Sequence, residues 1–322
     1  MPKKIALLLG SFLVLYLINF TIPRLMPGDP FDYEGAAAGE EGEALSAEYK
    51  AYLRSYYGLD RPFGEQLAAS VRRNLRGDLG DSIHYRRPVA EVLAQRLPWT
   101  ALVMGCSLAL SMLLGVTLAL LCVRRRGADR VLYGLLAGLA ETPAFLVGLL
   151  LLFLVAARVD WLPLSGAVTA FGVYRSEWEW VKDVAVHALL PVTALTAVTT
   201  PGFFFTARAS FLSVLEKPYI LGARAKGLRE GRIRWRYVLA NALPPIVVRF
   251  FLSVGAAVGG TLLVENVFAY PGLGLVMREA VRYRDYPMIQ GVFLLSAVLV
   301  LLSLFAADLL NGWAAGRGRE SV

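Results

Sequence analysis

The chain carries two histidines, His84 and His187, and two cysteines, Cys106 and Cys122. Neither histidine sits beside Cys, Asp or Glu at metal-ligand spacing, so no metal centre is expected. Nucleophilic catalysis needs an activated serine with a base in reach. Ser165, in Leu164–Ser165–Gly166, and His187 form one conceivable pair, an intramembrane protease dyad, but a Ser–Gly turn accounts for the serine equally well. The cysteines share one apolar block and would stand roughly 24 Å apart on a straight helix, too far to pair within it. They read as packing residues. No lysine is followed by Ser or Thr, which excludes the phosphate-cradling GxxxxGK[ST] loop. If ATP drives this protein, another chain must hydrolyse it. Glu141 remains, before Thr142–Pro143 in an apolar block. Acids in lipid face a cavity or a partner. Two readings stand for it: a contact to a cationic group in a membrane cavity, or a hydrogen-bonded packing role near a helix broken at Pro143.

These residues are carried by segments suited to lipid. Of 322 residues, 57% are hydrophobic, and the mean hydropathy is +0.54. A bilayer crossing takes roughly 20 apolar helical residues. Six blocks meet or approach that length: Ile5–Ile22, Thr100–Val123, Val131–Ala157, Val186–Phe205, Ile246–Phe268 and Met288–Leu310. Pro191 and Pro201 interrupt the fourth and suggest a kink. Lys3 and Lys4 give the first block the look of a signal peptide. The block is longer than an ordinary signal core, however, and no small-x-small site follows closely, Ala36–Ala38 being the nearest weak candidate.

The net charge of +8 is explained without nucleic acid, because short cytoplasmic loops collect Lys and Arg. The N-terminus, Arg124–Arg130, Arg208–Arg249 and the tail are rich in bases and poor in acids. Both termini are therefore expected to be cytoplasmic. The expectation is an all-α polytopic membrane protein of six transmembrane helices. Its parts are a first helix (1–22), a small external domain (23–99), a five-helix core (100–310) with a cytoplasmic loop (208–245), and a tail (311–322). The external domain opens on a mobile acidic stretch, Tyr33–Glu43, followed by an amphipathic helix over Ser46–Tyr57 with Ser46 as its N-cap.

The long cytoplasmic loop is the most specific region. Lys217–Pro218 reads as a helix start, since proline suits the first turn. Gly227 reads as its stop. The small residues Gly222, Ala223, Ala225 and Gly227 let a partner approach closely, and Arg224 and Lys226 supply charge. A second basic helix, Arg232–Ala242, is expected to run to Leu243–Pro244–Pro245 before the fifth span. Composition alone leaves lipid anchoring and docking equally open.

Here the sequence resembles a family, the permease subunits of binding-protein-dependent ABC importers, in their dipeptide/oligopeptide/nickel branch. Tyr219–Ile220, Ala223–Arg224–Ala225–Lys226–Gly227–Leu228 and Asn241–Ala242–Leu243 match its cytoplasmic signature. The wider family's Glu-Ala-Ala stands here as Leu221, Gly222 and Ala223. Further matches are Met26–Pro27–Gly28–Asp29–Pro30, Tyr57–Pro62, Arg76–Ser82, Arg96–Leu97–Pro98, Trp161–Leu162–Pro163, Glu265–Gly274 and Arg284–Asp285–Tyr286–Pro287. The tail lacks the family's common Asp-Pro ending.

The resemblance implies a multi-pass protein of a bacterial or archaeal inner (plasma) membrane. It would work with a second homologous permease, two P-loop ATPase subunits and an external substrate-binding protein. This chain would bind no cofactor, ATP and Mg²⁺ belonging to the partners. Tyr219, Ala223, Arg224, Ala225, Lys226, Gly227 and Leu228 would form the coupling helix seated on an ATPase. Glu265, Tyr270 and Asp285, framing the last external loop, would face cargo or its carrier, with Glu141 a further pathway candidate. Polar interfacial turns explain those three equally well. Di- or oligopeptides are the expected cargo, with nickel chelates or opines as alternatives. A stand-alone channel or secondary carrier is the rival from another class, and it would need charged or broken-helix sites near mid-membrane.

Overall fold

The computed structural model describes residues 2–26, 31, 46–123 and 126–320. Most of the Met26–Pro30 motif, the acidic stretch Tyr33–Glu43 and the bases Arg124 and Arg125 lie outside the described residues. The described chain is helical: α1 (Pro2–Leu25), α2 (Ala47–Tyr56), α3 (Phe63–Asn74), α4 (Val89–Cys122), α5 (Arg126–Ala140), α6 (Ala144–Leu154), α7 (Glu177–Leu215), α8 (Pro218–Ala225), α9 (Glu230–Val267), α10 (Leu273–Arg282) and α11 (Tyr286–Glu320). Five of these, α1, α4, α7, α9 and α11, are long and apolar enough to cross a membrane. The pair α5–α6 makes a sixth span only as a broken one, bent by 99°.

That break corrects the reading of Val131–Ala157 as one continuous segment. Pro143 has no N–H to continue the ladder and disfavours helix at Thr142. It becomes the N-cap of α6, and Thr142 turns its N–H to the Leu139 carbonyl at 3.1 Å. By contrast, α7 runs unbroken for 39 residues through Pro191 and Pro201. Both of those prolines are buried, whereas Pro143 is exposed. Packing from neighbouring helices holds a proline-containing helix together. Pro244–Pro245 likewise fails to end a helix. The chain runs from Glu230 to Val267, with a π-helical stretch, Ile233–Val238, just ahead of the prolines. At its end Asn241 Nδ2 donates to the Tyr237 carbonyl at 2.6 Å.

The chain divides into two compact units that are not serial. One contains Met1–Pro98 and Pro271–Val298, the other Trp99–Tyr270 and Leu299–Val322. In the first unit, Ser46 caps α2 by accepting from the Tyr49 N–H at 3.2 Å. Tyr16 of α1 bonds Ser70 of α3 at 2.9 Å, and Asn74 Nδ2 donates to the same tyrosine oxygen at 2.9 Å.

In the second unit, α7 packs against α5, α6 and α9. Its seam with α4 is made of small residues one turn apart. Ser107 Oγ and Ser111 Oγ reach the Val192 and Thr196 carbonyls, each at 3.3 Å. At Gly115 a β-carbon would stand 2.7 Å from Phe203 Cβ and 2.8 Å from both the Phe204 nitrogen and the Thr200 oxygen. Membrane helices approach closely through such residues, since lipid supplies no hydrophobic drive between them.

Candidate functional site

The loop after α7 folds into a short, tightly capped helix. Lys217 is the N-cap in extended geometry and Pro218 occupies the first turn. At the other end Gly227 adopts φ +67°. Its N–H donates to the Arg224 carbonyl at 2.9 Å, and the Leu228 N–H donates to the Ala223 carbonyl at 3.3 Å. This pair of bonds is the Schellman arrangement, which needs a left-handed residue where Gly227 stands. Leu228 then packs on the core beside α8, the hydrophobic contact that accompanies such a cap.

The helix has two distinct faces. Ile220 and Ala223 are buried in a cluster with Phe211, Val214, Ile233 and Val238. Ala223 is thus an interior packing residue, although its size and place in the signature suggested a partner contact. The outer face carries Tyr219 (44% exposed), Leu221 (64%), Gly222, Ala225 and Lys226. Trp235 (58%) and Arg236 of the π-helical stretch are exposed as well. Arg224 lies between the faces, its Nε 3.4 Å from Glu230 Oε1. Partial desolvation pushes the Tyr219 phenol above its usual range. The exposed surface is therefore apolar at Leu221 and Trp235 and cationic at its edge, a composition suited to a partner with an apolar, partly acidic groove. Trp235 was missed from the sequence, because a tryptophan in a basic run gives no sign of which way it points.

The candidates Glu265, Tyr270 and Asp285 are divided between the two units. Glu265 and Tyr270 lie in the second unit, both with no exposed surface. The Tyr270 N–H donates to the Glu265 carbonyl at 2.8 Å, and its ring meets Trp99 edge-on at 5.9 Å. Burial, with the Glu265 charge nearby, pushes the Tyr270 hydroxyl up to about 12.

Asp285 lies in the first unit and is also wholly buried. Its Oδ1 accepts from the Met288 N–H at 3.1 Å and so caps α11. Its Oδ2 accepts from the Ser82 hydroxyl and from the His84 N–H at 3.1 Å. Around this clasp Tyr85 hydrogen-bonds Glu279, and His84 stacks on Tyr283 with ring centroids 3.9 Å apart. The arrangement joins segments some 200 residues apart, so no local pattern reveals it. Glu141 stands exposed at the α5–α6 bend.

The protease pair is not assembled. His187 is buried, and its Nδ1 donates to the Asp183 carbonyl of its own helix at 2.9 Å, with the Asp183 carboxylate 3.4 Å away. An acid does therefore stand beside this histidine, one helical turn before it, which corrects the reading of His187 as lacking an acidic neighbour. Asp183 also accepts from Thr169 and Tyr174, anchoring the preceding loop. Among the described residues no group of three metal-ligating side chains comes together.

Residues 111–319 match the family described as binding-protein-dependent transport system inner membrane component. The glutathione transport system permease protein GsiC of Pectobacterium atrosepticum is 34% identical over 310 residues, covering 96% of this chain and 94% of its own. GsiC of Salmonella choleraesuis is 32% identical over 310 residues, with 96% and 94% covered. The dipeptide transport system permease protein DppB of Escherichia coli is 31% identical over 329 residues, with 96% and 95% covered. With a match across most of the chain and relatives aligned nearly end to end, the protein belongs to the family of inner-membrane components of binding-protein-dependent transport systems.

Proposed function

We propose that this chain is the permease subunit of an ATP-driven importer of di- or oligopeptides in a bacterial plasma membrane, with both termini cytoplasmic. The observation that carries the cargo is the near full-length similarity to permeases named for dipeptide and glutathione transport. The chain forms half of the translocation pathway beside a sister permease. Two ATPase subunits hold ATP and Mg²⁺, and an external binding protein delivers the peptide.

The outer face of α8 seats on one ATPase. The Lys217–Pro218 start and the Gly227 cap fix that helix against Ile233 and Phe211, so a displacement of the motor is passed to α7 and α9 as a rigid push. The cycle is a two-state equilibrium biased by ligand. ATP-bound closure of the motor favours the outward-open state, and hydrolysis restores the inward-open one. The wholly buried Asp285 serves as a clasp that keeps the last external segment in place, while Glu141, exposed at a broken span, contacts cationic cargo. Glu141→Gln is expected to lower uptake of a lysine-containing dipeptide several-fold more than that of a neutral one. An equal proportional change in uptake of the two, relative to wild type, would remove Glu141 from the pathway.

The assembly is tested by affinity purification of the chain from its native membrane in mild detergent, followed by mass spectrometry. A second multi-span subunit and P-loop ATPases are expected to come with it. A chain that purifies alone and folded would contradict the reading.

A further inference from the structure

A cleft in the first unit has no role in the cycle above. It is lined by Arg24 at the end of α1, by Ser70, Arg73 and Asn74 of α3, and by Tyr286 and Gln290 of α11. No carboxylate among the described residues lines it.

Among the described residues neither of its arginines forms an ion pair. Arg24 donates through Nε to Gln66 Oε1 at 2.9 Å and through Nη1 to the Phe20 carbonyl at 2.8 Å, with its guanidinium 3.5 Å from the centre of the Phe20 ring. Arg73 makes no hydrogen bond or ion pair with its side chain among the described residues. The Gln290 Nε2 is buried without an acceptor, while its backbone carbonyl is held by Asn19 Nδ2 at 2.9 Å. The Tyr16–Ser70–Asn74 hydrogen bonds fix the α1 and α3 walls. Two guanidiniums and an unused amide donor around one opening make a site for an oxyanion, and guanidinium forks match phosphate oxygens. The opening lies where α1 ends, and that helix exposes Leu13, Ile18, Ile22 and Leu25. Phosphate is the oxyanion that lipid presents at such a level.

We propose that this cleft binds a phosphate group, supplied by the headgroup of an anionic phospholipid. The proposal rests on α1 spanning the membrane and not on the cargo.

The full-length protein, purified in neutral detergent, is titrated with phosphatidylglycerol, and retained lipid is read by native mass spectrometry. Arg73→Gln is expected to weaken retention about tenfold, the loss of one charge-assisted contact. Because the Arg73 side chain makes no hydrogen bond or ion pair among the described residues, the variant is expected to fold, which its melting temperature checks. Arg24→Gln combined with Arg73→Gln should abolish retention, and Arg76→Gln, an exposed arginine off the cleft, should leave it unchanged. Failure of millimolar inorganic phosphate to compete would support the lipid source. Displacement by inorganic phosphate would uphold the phosphate site and overturn the lipid as its occupant. Wild-type retention by Arg73→Gln, or equal retention of phosphate-free diacylglycerol, would overturn the proposal.

Discussion

Glycines occupy both the α4–α7 seam and the α8 loop, yet for opposite reasons. At Gly115 a β-carbon would press within 3 Å on the backbone and first side-chain carbon of α7, so the residue is dictated by packing. At Gly222 and Gly227 a β-carbon would meet nothing within 4 Å. Gly227 is dictated by its positive φ instead, and Gly222 by neither, since it lies in open space on an exposed face. At Gly222 nothing inside the protein demands a small residue, which fits the proposed seat of α8 on a partner. The seam holds the fold, and the loop presents a surface.

The largest effect is expected at the seam. Gly115→Val should destabilise the protein by about 3 kcal/mol or more, because neither neighbouring backbone has room to give. Thermal unfolding of the purified protein in detergent checks this. A melting temperature near wild type would mean that α4 and α7 can separate at little cost.

Next comes the cap. Gly227→Val should cost roughly 1–2 kcal/mol through left-handed strain, fray the end of α8 and uncouple ATP hydrolysis from uptake. Gly227→Asn should retain most coupling, because asparagine tolerates that conformation. Equal failure of both variants in a reconstituted transport assay would assign Gly227 to partner contact and not to backbone geometry.

The smallest effect on stability belongs to Gly222→Trp, within about 0.5 kcal/mol of wild type as for other exposed positions. Its effect on transport should be large, since the added ring occupies the space of the docked partner. A stable variant that transports normally would show that this face is free in the working complex.

Much of this was legible in the sequence. The apolar blocks mark the spans, and Lys217–Pro218 and Gly227 mark both ends of α8, because capping is a local matter of φ and missing N–H groups. The fate of each proline was not legible. Pro143 breaks its helix, whereas Pro191, Pro201 and the Pro244–Pro245 pair do not; burial goes with continuity at Pro191 and Pro201, while Pro245 is exposed like Pro143 and follows a π-helical stretch instead. The same limit hid which side of α8 is inside. Ala223 and Ala225 are identical in type and lie two residues apart, yet one is buried and the other exposed. The Asp285 clasp was equally hidden, since its partner Ser82 lies on a distant stretch of the chain.

The central claim, that the outer face of α8 seats on an ATPase, is tested most directly by site-directed cross-linking in the assembled complex. With Cys106 and Cys122 replaced, single cysteines are placed at Leu221 and at Ala223 and treated with a short bifunctional reagent in native membranes. Leu221→Cys should give a cross-linked product containing a P-loop ATPase, with a yield that changes on ATP binding, and Ala223→Cys should give none. Cross-linking from Ala223→Cys but not from Leu221→Cys would contradict the account.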